Sequence, residues 1–179
     1  MSRIEALRSA LPDSAKDLKL NLQAVLRPEN LSAEQVWGTA YCAALFLQDH
    51  ALADALHADA QAGGVGEDMF DDARAAAALM GMNTTFYRFR HLVEKESYTK
   101  QPARLRMTRM AQPKTDKATF ELMSMACAVL AGCGLCIQSH EASLLKHGLS
   151  ETHVNDVVRL ASVLQGVSIA LAMDQPVPA

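Results

Sequence analysis

Four side chains in the second half of the chain have the types and spacing that redox chemistry needs: Glu121, Cys133, Cys136 and His140. Gly132 interrupts a helix-favouring stretch, so Cys133 falls at the start of a new helix. Free amides and the positive end of the helix dipole stabilise a thiolate there. Cys136 lies one turn further along the same face, and a small adjustment brings the two sulfurs to disulfide geometry. His140 follows Cys136 by four residues and shares that face. Its imidazole can take the Cys136 proton, directly or through one water. Glu121 belongs to the preceding helix; if the two helices pack side by side, its carboxylate orients and charges the imidazole. The result is a thiol–imidazole–carboxylate relay. A thiolate activated in this way attacks a peroxide O–O bond and becomes a sulfenic acid. The second thiol condenses with it, water leaves, and an external dithiol restores the pair.

Two other readings compete. The same four residues could supply a zinc ion with ligands, although structural zinc sites favour a second Cys/His pair that this chain lacks. The cysteines could also be small residues packing a helix start in a purely structural helical oligomer. In a reducing compartment, C-x-x-C points to redox work or metal before it points to a structural disulfide.

The elements that position these residues are expected to be helices throughout. Half of the 179 residues are apolar, only 5% are aromatic, and no stretch alternates Val, Ile and Thr as a strand would. An all-α single domain over 1–179 follows, with the redox motif in 116–148. Expected helices run from Ile4 to Leu11, from Asp13 or Ser14 to Leu26, from a Ser32–Gln35 capping box to Leu47, and from an Asp49 cap through His50 to Ala60. Gly63, Gly64 and Gly66 mark a loop. Helix is expected over Glu67–Met80, a bend at Gly81-Met82-Asn83, and helix again over Thr84–Glu96. Ser97–Arg104 reads as a connection and Leu105–Met110 as a short helix. Asp116 caps a helix that stops near Gly132, the next runs from Cys133 to His147, and Ser150 caps the last, up to Met173. Pro176-Val177-Pro178-Ala179 cannot continue it.

A net charge of −3, with 17 basic and 20 acidic residues, argues against a nucleic-acid patch or a membrane-surface helix. Charged residues are read as interrupting each apolar run before membrane-spanning length. The N-terminus lacks the apolar core of a secretion signal, so the cytoplasm is the expected location. Gln48-Asp49-His50 and His57 recur ninety positions later as Gln138-Ser139-His140 and His147. If this echo marks an internally duplicated helical unit, Ala43 and Phe46 stand in the first copy where the second has its cysteines.

Around the motif the sequence resembles the alkylhydroperoxidase D family, within the carboxymuconolactone decarboxylase-like superfamily. The shared pattern is a Glu, then C-x-x-C, then x-x-x-His-Glu, here Glu121, Cys133, Cys136, His140 and Glu141. Leu11 to Leu22, Trp37-Gly38-Thr39, Met80 to Asn83, Phe86-Tyr87-Arg88 and Thr119-Phe120-Glu121-Leu122 extend the likeness over essentially the whole chain. The resemblance implies a compact multi-helix fold, assembly as a trimer or a multiple of trimers, and reduction of alkyl hydroperoxides and hydrogen peroxide. It implies no bound cofactor. A dihydrolipoyl group on a lipoylated acyltransferase is the implied external reductant, itself reduced by dihydrolipoamide dehydrogenase. Some relatives pass electrons to a separate peroxiredoxin, which leaves a thiol-disulfide reductase as the alternative function. A decarboxylase has no use for a dithiol. By position, Cys136 resembles the sulfenic-acid cysteine, Cys133 its proton-donating and resolving partner, and Glu121 and His140 the relay.

The helix dipole by itself favours Cys133 as the lower-pKa thiol. The His140 spacing favours Cys136. A base within reach acts on demand, whereas the dipole fades within a turn, so Cys136 is read as the peroxidatic thiol. Which sulfur is more exposed the sequence leaves open. Some family members carry a histidine between the cysteines; Leu135 stands there here. That departure implies a slower peroxidase or a shift toward disulfide exchange.

Of the remaining residues, Cys42 and Cys127 read as buried apolar cysteines. His50, His57, His91, His147 and His153 read as surface or helix-end groups, and Tyr87, Arg88 and Arg90 as a solvated or subunit-contact face. The methionines are mostly core, with a subset able to line a path for alkyl peroxides.

Overall fold

A computed structural model describes residues 2–173. The Pro176–Ala179 tail lies outside the described residues. Among the described residues all regular structure is helical. The order is α1 (Arg3–Ala10), a short 3₁₀ turn (Asp13–Ala15), α2 (Lys16–Val25), α3 (Ala33–Phe46), α4 (His50–Ala62), α5 (Glu67–Leu92), α6 (Glu96–Thr99), α7 (Thr108–Ala111), α8 (Lys117–Leu130), α9 (Gly134–Lys146) and α10 (Glu151–Met173).

Local sequence explains most of these boundaries. Ser32 and Gln35 close a full capping box on α3. Asp49 accepts from the Leu52 amide, and Asp116 from the Thr119 amide, at the starts of α4 and α8. The expected break at Gly81-Met82-Asn83 does not occur: α5 runs unbroken for 26 residues. Mid-helix glycine costs only about 1 kcal/mol against alanine. Burial on both sides of it, at Phe70, Ala73, Ala76 and Met80 before and at Asn83 and Thr84 after, outweighs that cost. The helix ends at Leu92 rather than at Glu96, and Glu94 turns the chain with φ +50°. Part of the expected 97–104 connection is the one-turn α6, and the short helix expected at 105–110 sits at Thr108–Ala111.

Helices α3, α4 and α5 have counterparts in α8, α9 and α10, each beginning 84 positions later. The joints match as well. Gln48 (φ +59°) corresponds to Gly132 (φ +63°), and Gly64 (φ +91°) to Gly148 (φ +88°). The duplicated unit is therefore present, but its register is 84 and not ninety. The short echo at ninety misaligns the helices. In the structural register Trp37, Asp49, Leu52 and Leu56 stand where the second copy has Glu121, Cys133, Cys136 and His140.

The two units share one core. α3 and α8 lie together at its centre, with α5 against both and α10 against both. Phe70, Leu52, Leu56, Met80, Phe120, Leu122, Met123, Met125, Leu160 and Leu164 are fully buried in it. Gly38 lets α3 approach closely: a Cβ there would sit 2.5 Å from Met69 Sδ and 2.9 Å from Met123 Cε. α10 has a mean hydropathy of 1.5 over an 18-residue window and, by length and composition, could cross a membrane. Asp156 and Arg159 lie near its start, so the expectation that charges interrupt every long apolar run fails here. In the fold Val157, Leu160, Leu164 and Val167 of this helix are buried against the core.

Candidate active site

The approach to the cysteines is set by how α8 ends. The Cys133 amide donates to Ala128 O (3.1 Å) and the Gly132 amide to Val129 O (3.0 Å), with Gly132 in the left-handed region. This Schellman closure satisfies the last carbonyls of α8 and reverses the chain within two residues. Cys133 then becomes the N-cap of α9, its sulfur accepting from the Cys136 amide at 3.3 Å. In the first unit Asp49 does the same for Leu52 at 3.0 Å. Cys133 thus occupies a position where an anion is stabilised. The Cys133 and Cys136 sulfurs are joined as a disulfide, with their Cα atoms 5.3 Å apart.

Helices α8 and α9 pack side by side and bring Glu121 to His140. Glu121 Oε2 lies 2.6 Å from His140 Nδ1, and both residues are buried. With Nδ1 engaged, Nε2 is the ring nitrogen left for chemistry. The other carboxylate oxygen, Oε1, is 2.7 Å from Lys117 Nζ, one turn back on α8. Burial works to raise the Glu121 pKa, but the hydrogen bonds and charges of His140 and Lys117 outweigh it and hold the carboxyl below its ordinary value.

A cleft of about 370 Å³ opens beside this group, lined by Asn83 and Tyr87 from α5, Met107 and Met110 from the segment before α8, and Leu135, Cys136, Ser139 and His140 from α9. Cys136 and His140 face it together. Cys133 is not among its walls and is fully buried, whereas Cys136 retains 6% exposure. Residue exposure, left open by the sequence, is thus slightly greater at Cys136, which is also the cysteine on the cleft wall. All four sequence-selected residues are therefore brought to one place. With Cys133 and Cys136 joined as a disulfide, no group of three or more His, Cys, Asp or Glu among the described residues is arranged to hold a metal ion.

The cleft wall formed by residues 107–116 is tied down by Asp72, a fully buried carboxylate on α5. Asp72 accepts from Arg109 Nε (2.8 Å), from the Lys114 amide (3.1 Å), and from the Thr115 amide and hydroxyl (2.8 Å each). Burial pushes its pKa up, but these donors win and hold it below the ordinary value. Its contribution to stability is therefore fully present above the ordinary value of 3.8 and is lost as pH falls through the lowered one. Asp72→Ala strands two backbone amides and is expected to cost about 2–4 kcal/mol. A thermal melt of the variant at neutral pH checks this.

Several neighbours were invisible from the motif. Lys117 lies four residues before Glu121, a helix spacing that could have found it. It also donates to Met110 O at 2.5 Å and so joins the carboxylate to the cleft wall. Asn83 and Tyr87 lie in segments that carry the family likeness, but no spacing ties them to the cysteines. Tyr87, expected on a solvated or subunit-contact face, lines the cleft, and Arg88 Nη1 donates to Ala131 O (2.6 Å) at the end of α8. Met107 and Met110 are the methionines that reach the cleft, while Met80, Met123 and Met125 fill the core. Cys42 and Cys127 are buried in the core with sulfurs 3.6 Å apart, and burial, with Cys42 beside it, pushes the Cys127 thiol up. His57, expected at a surface or helix end, packs instead against Phe70 and Tyr41, at ring-centroid distances of 4.2 and 5.3 Å.

Sequence comparison places this geometry in context. The carboxymuconolactone decarboxylase family matches residues 96–176. The chain is 46% identical over 171 residues to a protein of Anaeromyxobacter sp. (strain Fw109-5) named alkyl hydroperoxide reductase AhpD, covering 96% of this chain and 92% of that one. Proteins of the same name from Maricaulis maris and Azorhizobium caulinodans are 43% and 40% identical, covering 96% and 94% of this chain and 98% and 92% of their own lengths. The chain belongs to the AhpD family. In this AhpD-family chain the second unit carries the polar cluster and the first, with Trp37 and Leu56 at the matching positions, does not.

Lys117→Met removes one of the groups that lower the Glu121 pKa. The carboxyl then protonates at higher pH, and the acid limb of any thiol reactivity governed by His140 moves up. Reactivity at neutral pH falls by about tenfold or less, because Lys117 is one-third exposed. Lys117→Arg keeps the charge and the acid limb. The rate of Cys136 modification across pH measures both.

Proposed function

We propose that this chain is a thiol peroxidase that reduces alkyl hydroperoxides and hydrogen peroxide through Cys133 and Cys136. The observation that carries the reading is the buried Glu121–His140 hydrogen bond beside Cys136 on the wall of one cleft. His140 Nε2 takes the Cys136 proton, and Glu121 stabilises the imidazolium. The thiolate attacks a peroxide oxygen, the O–O bond breaks, and the leaving oxygen takes the proton held by His140. Cys133 then attacks the Cys136 sulfenic acid, forming the disulfide and releasing water. The names of the relatives agree with peroxide as substrate.

Dihydrolipoyl groups on an acyltransferase, renewed by dihydrolipoamide dehydrogenase, are the proposed reductant; this rests on the family resemblance. The geometry supports attack on the more exposed Cys136 sulfur. The departing Cys133 thiolate is then held by the Cys136 amide at the α9 N-terminus. Trimeric assembly and a cytoplasmic location belong to the same proposal, and sedimentation tests the first. Steady-state consumption of tert-butyl hydroperoxide with dihydrolipoamide as the only reductant tests the activity. Absence of turnover with either peroxide class sinks it.

A disulfide reductase serving a peroxiredoxin is the second reading. Leu135, apolar and 39% exposed beside Cys136, favours it as a contact for a partner protein. Turnover of peroxide only after a peroxiredoxin is added would decide for it.

A further inference from the structure

The cleft beside Cys136 has one polar wall residue with an atom that no other group of the described chain satisfies. Asn83 on α5 is 4% exposed, and its Oδ1 is buried without a hydrogen-bond partner. The other amide atom, Nδ2, donates to Met110 Sδ at 3.2 Å. That contact fixes the orientation of the amide: turned over, it would set oxygen against sulfur, two acceptors together. Oδ1 is therefore the end left over, and a buried amide oxygen without a donor calls for a reason. Thr39 Oγ1 is the only similar atom among the described residues, and it lies on α3 away from the cleft walls.

The absent donor must fit beside a reactive sulfur and between apolar walls. Met107, Met110 and Leu135 supply those walls. An organic hydroperoxide, R–O–O–H, matches this demand. It has a single O–H donor, an apolar remainder, and its donor sits on the oxygen that a thiolate attacks. We propose that Asn83 is a substrate-binding residue whose Oδ1 accepts the terminal O–H of an organic hydroperoxide and holds that oxygen for attack by Cys136. This inference rests on the peroxidase reading above and adds the residue that aligns the substrate.

Met110 accepts from Nδ2 and lines the cleft, and rotation within its unbranched thioether opens a path to Oδ1 at little cost while that contact is kept. In the step itself the S–O bond forms at the terminal oxygen. The O–O bond breaks, and its electron pair leaves on RO⁻, which takes the proton that His140 removed from Cys136. The hydroperoxide proton stays on the new sulfenic acid, still held by Asn83. Sulfur is oxidised, and the peroxide is reduced to an alcohol and the sulfenic oxygen.

The test compares two reactions of the same thiol in the pre-reduced full chain. Cumene hydroperoxide must present an O–H to Asn83; methyl methanethiosulfonate also consumes the thiolate but has no donor to present. Asn83→Leu is expected to lower the ratio of the two rates by about tenfold or more. Asn83→Asp keeps an acceptor oxygen, and its ratio stays within about threefold of the starting protein, since any effect of its charge on the thiolate acts on both reactions. Asn83→Ala is measured alongside as the smaller replacement, with thermal melts of all variants. An unchanged ratio in Asn83→Leu and Asn83→Ala overturns the inference, as does an equal fall in Asn83→Asp. If the unsubstituted protein is not oxidised by hydroperoxide at all, the peroxidase reading fails and this inference falls with it. If it is oxidised and the ratio is insensitive to Asn83, this inference fails by itself.

Discussion

Cys136→Ser is expected to reduce peroxide turnover on the order of 10³-fold or more, to the level of a protein-free control. Serine keeps the size of the side chain and its place on the cleft wall, but its hydroxyl is not ionised beside an imidazole at neutral pH and does not attack an O–O bond. The companion variant separates the two thiols. Cys133→Ser keeps the sulfur that faces the cleft together with its base, and lacks only the buried partner 5.3 Å away between Cα atoms. It is expected to consume one equivalent of peroxide and stop, with one added oxygen atom on Cys136 visible by mass spectrometry. If Cys133→Ser leaves Cys136 unoxidised while Cys136→Ser accumulates the oxygen on Cys133, the assigned roles are reversed. Cys127 remains a thiol in every variant, because burial, with Cys42 beside it, disfavours its thiolate.

Glu121→Gln should lower the rate of Cys136 oxidation by roughly 10²- to 10⁴-fold, the usual range for a positioned acid–base group. The carboxylate does two things that an amide cannot. It fixes the proton of His140 on Nδ1, leaving Nε2 as the base, and its charge favours the imidazolium that forms when the thiol is deprotonated. The pH dependence has a definite sign. The Glu121 pKa is lowered in the fold, so the charge-assisted contacts to His140 and Lys117 are fully in place above the ordinary value of 4.5 and are lost as pH falls through the lowered one. The stability they contribute follows the same course. Unfolding of the parent protein is expected to ease steeply in that acid window, while the Glu121→Gln protein shows a flatter dependence and is about 1–3 kcal/mol less stable at neutral pH. Thermal melts from pH 3 to 7 follow the second effect, and stopped-flow thiol oxidation the first. A Glu121→Gln protein oxidised as fast as its parent would remove the relay from the mechanism.

The amino-acid sequence by itself determined what is local. The caps at Ser32, Asp49 and Asp116, the glycine stop at Gly132 and the turn-by-turn spacing of Cys133, Cys136 and His140 are statements about neighbours within a few positions, where helix geometry alone sets distances. That was enough to assign the helical class, to place both cysteines at the start of one helix and to pair His140 with Cys136. It nominates Glu121 only on the condition that the helices on either side of Gly132 pack side by side, which spacing alone does not decide.

Tertiary structure decided everything that depends on helices distant in sequence. Whether α5 bends at Gly81 was settled by burial on both sides of it, which no local propensity records. The duplicated unit became legible at its 84-residue register only through matching helix ends and turn conformations, since the ninety-residue echo of side chains crosses those boundaries. Asn83 and Tyr87 line the cleft beside Cys136 because α5 packs on α9, and Asp72 holds the opposing wall across some forty positions of chain. The relative exposure of the two sulfurs has the same origin. Spacing puts both on one helical turn, but only the packing of α5 and the 107–116 segment leaves Cys136 on the cleft wall and Cys133 beneath it.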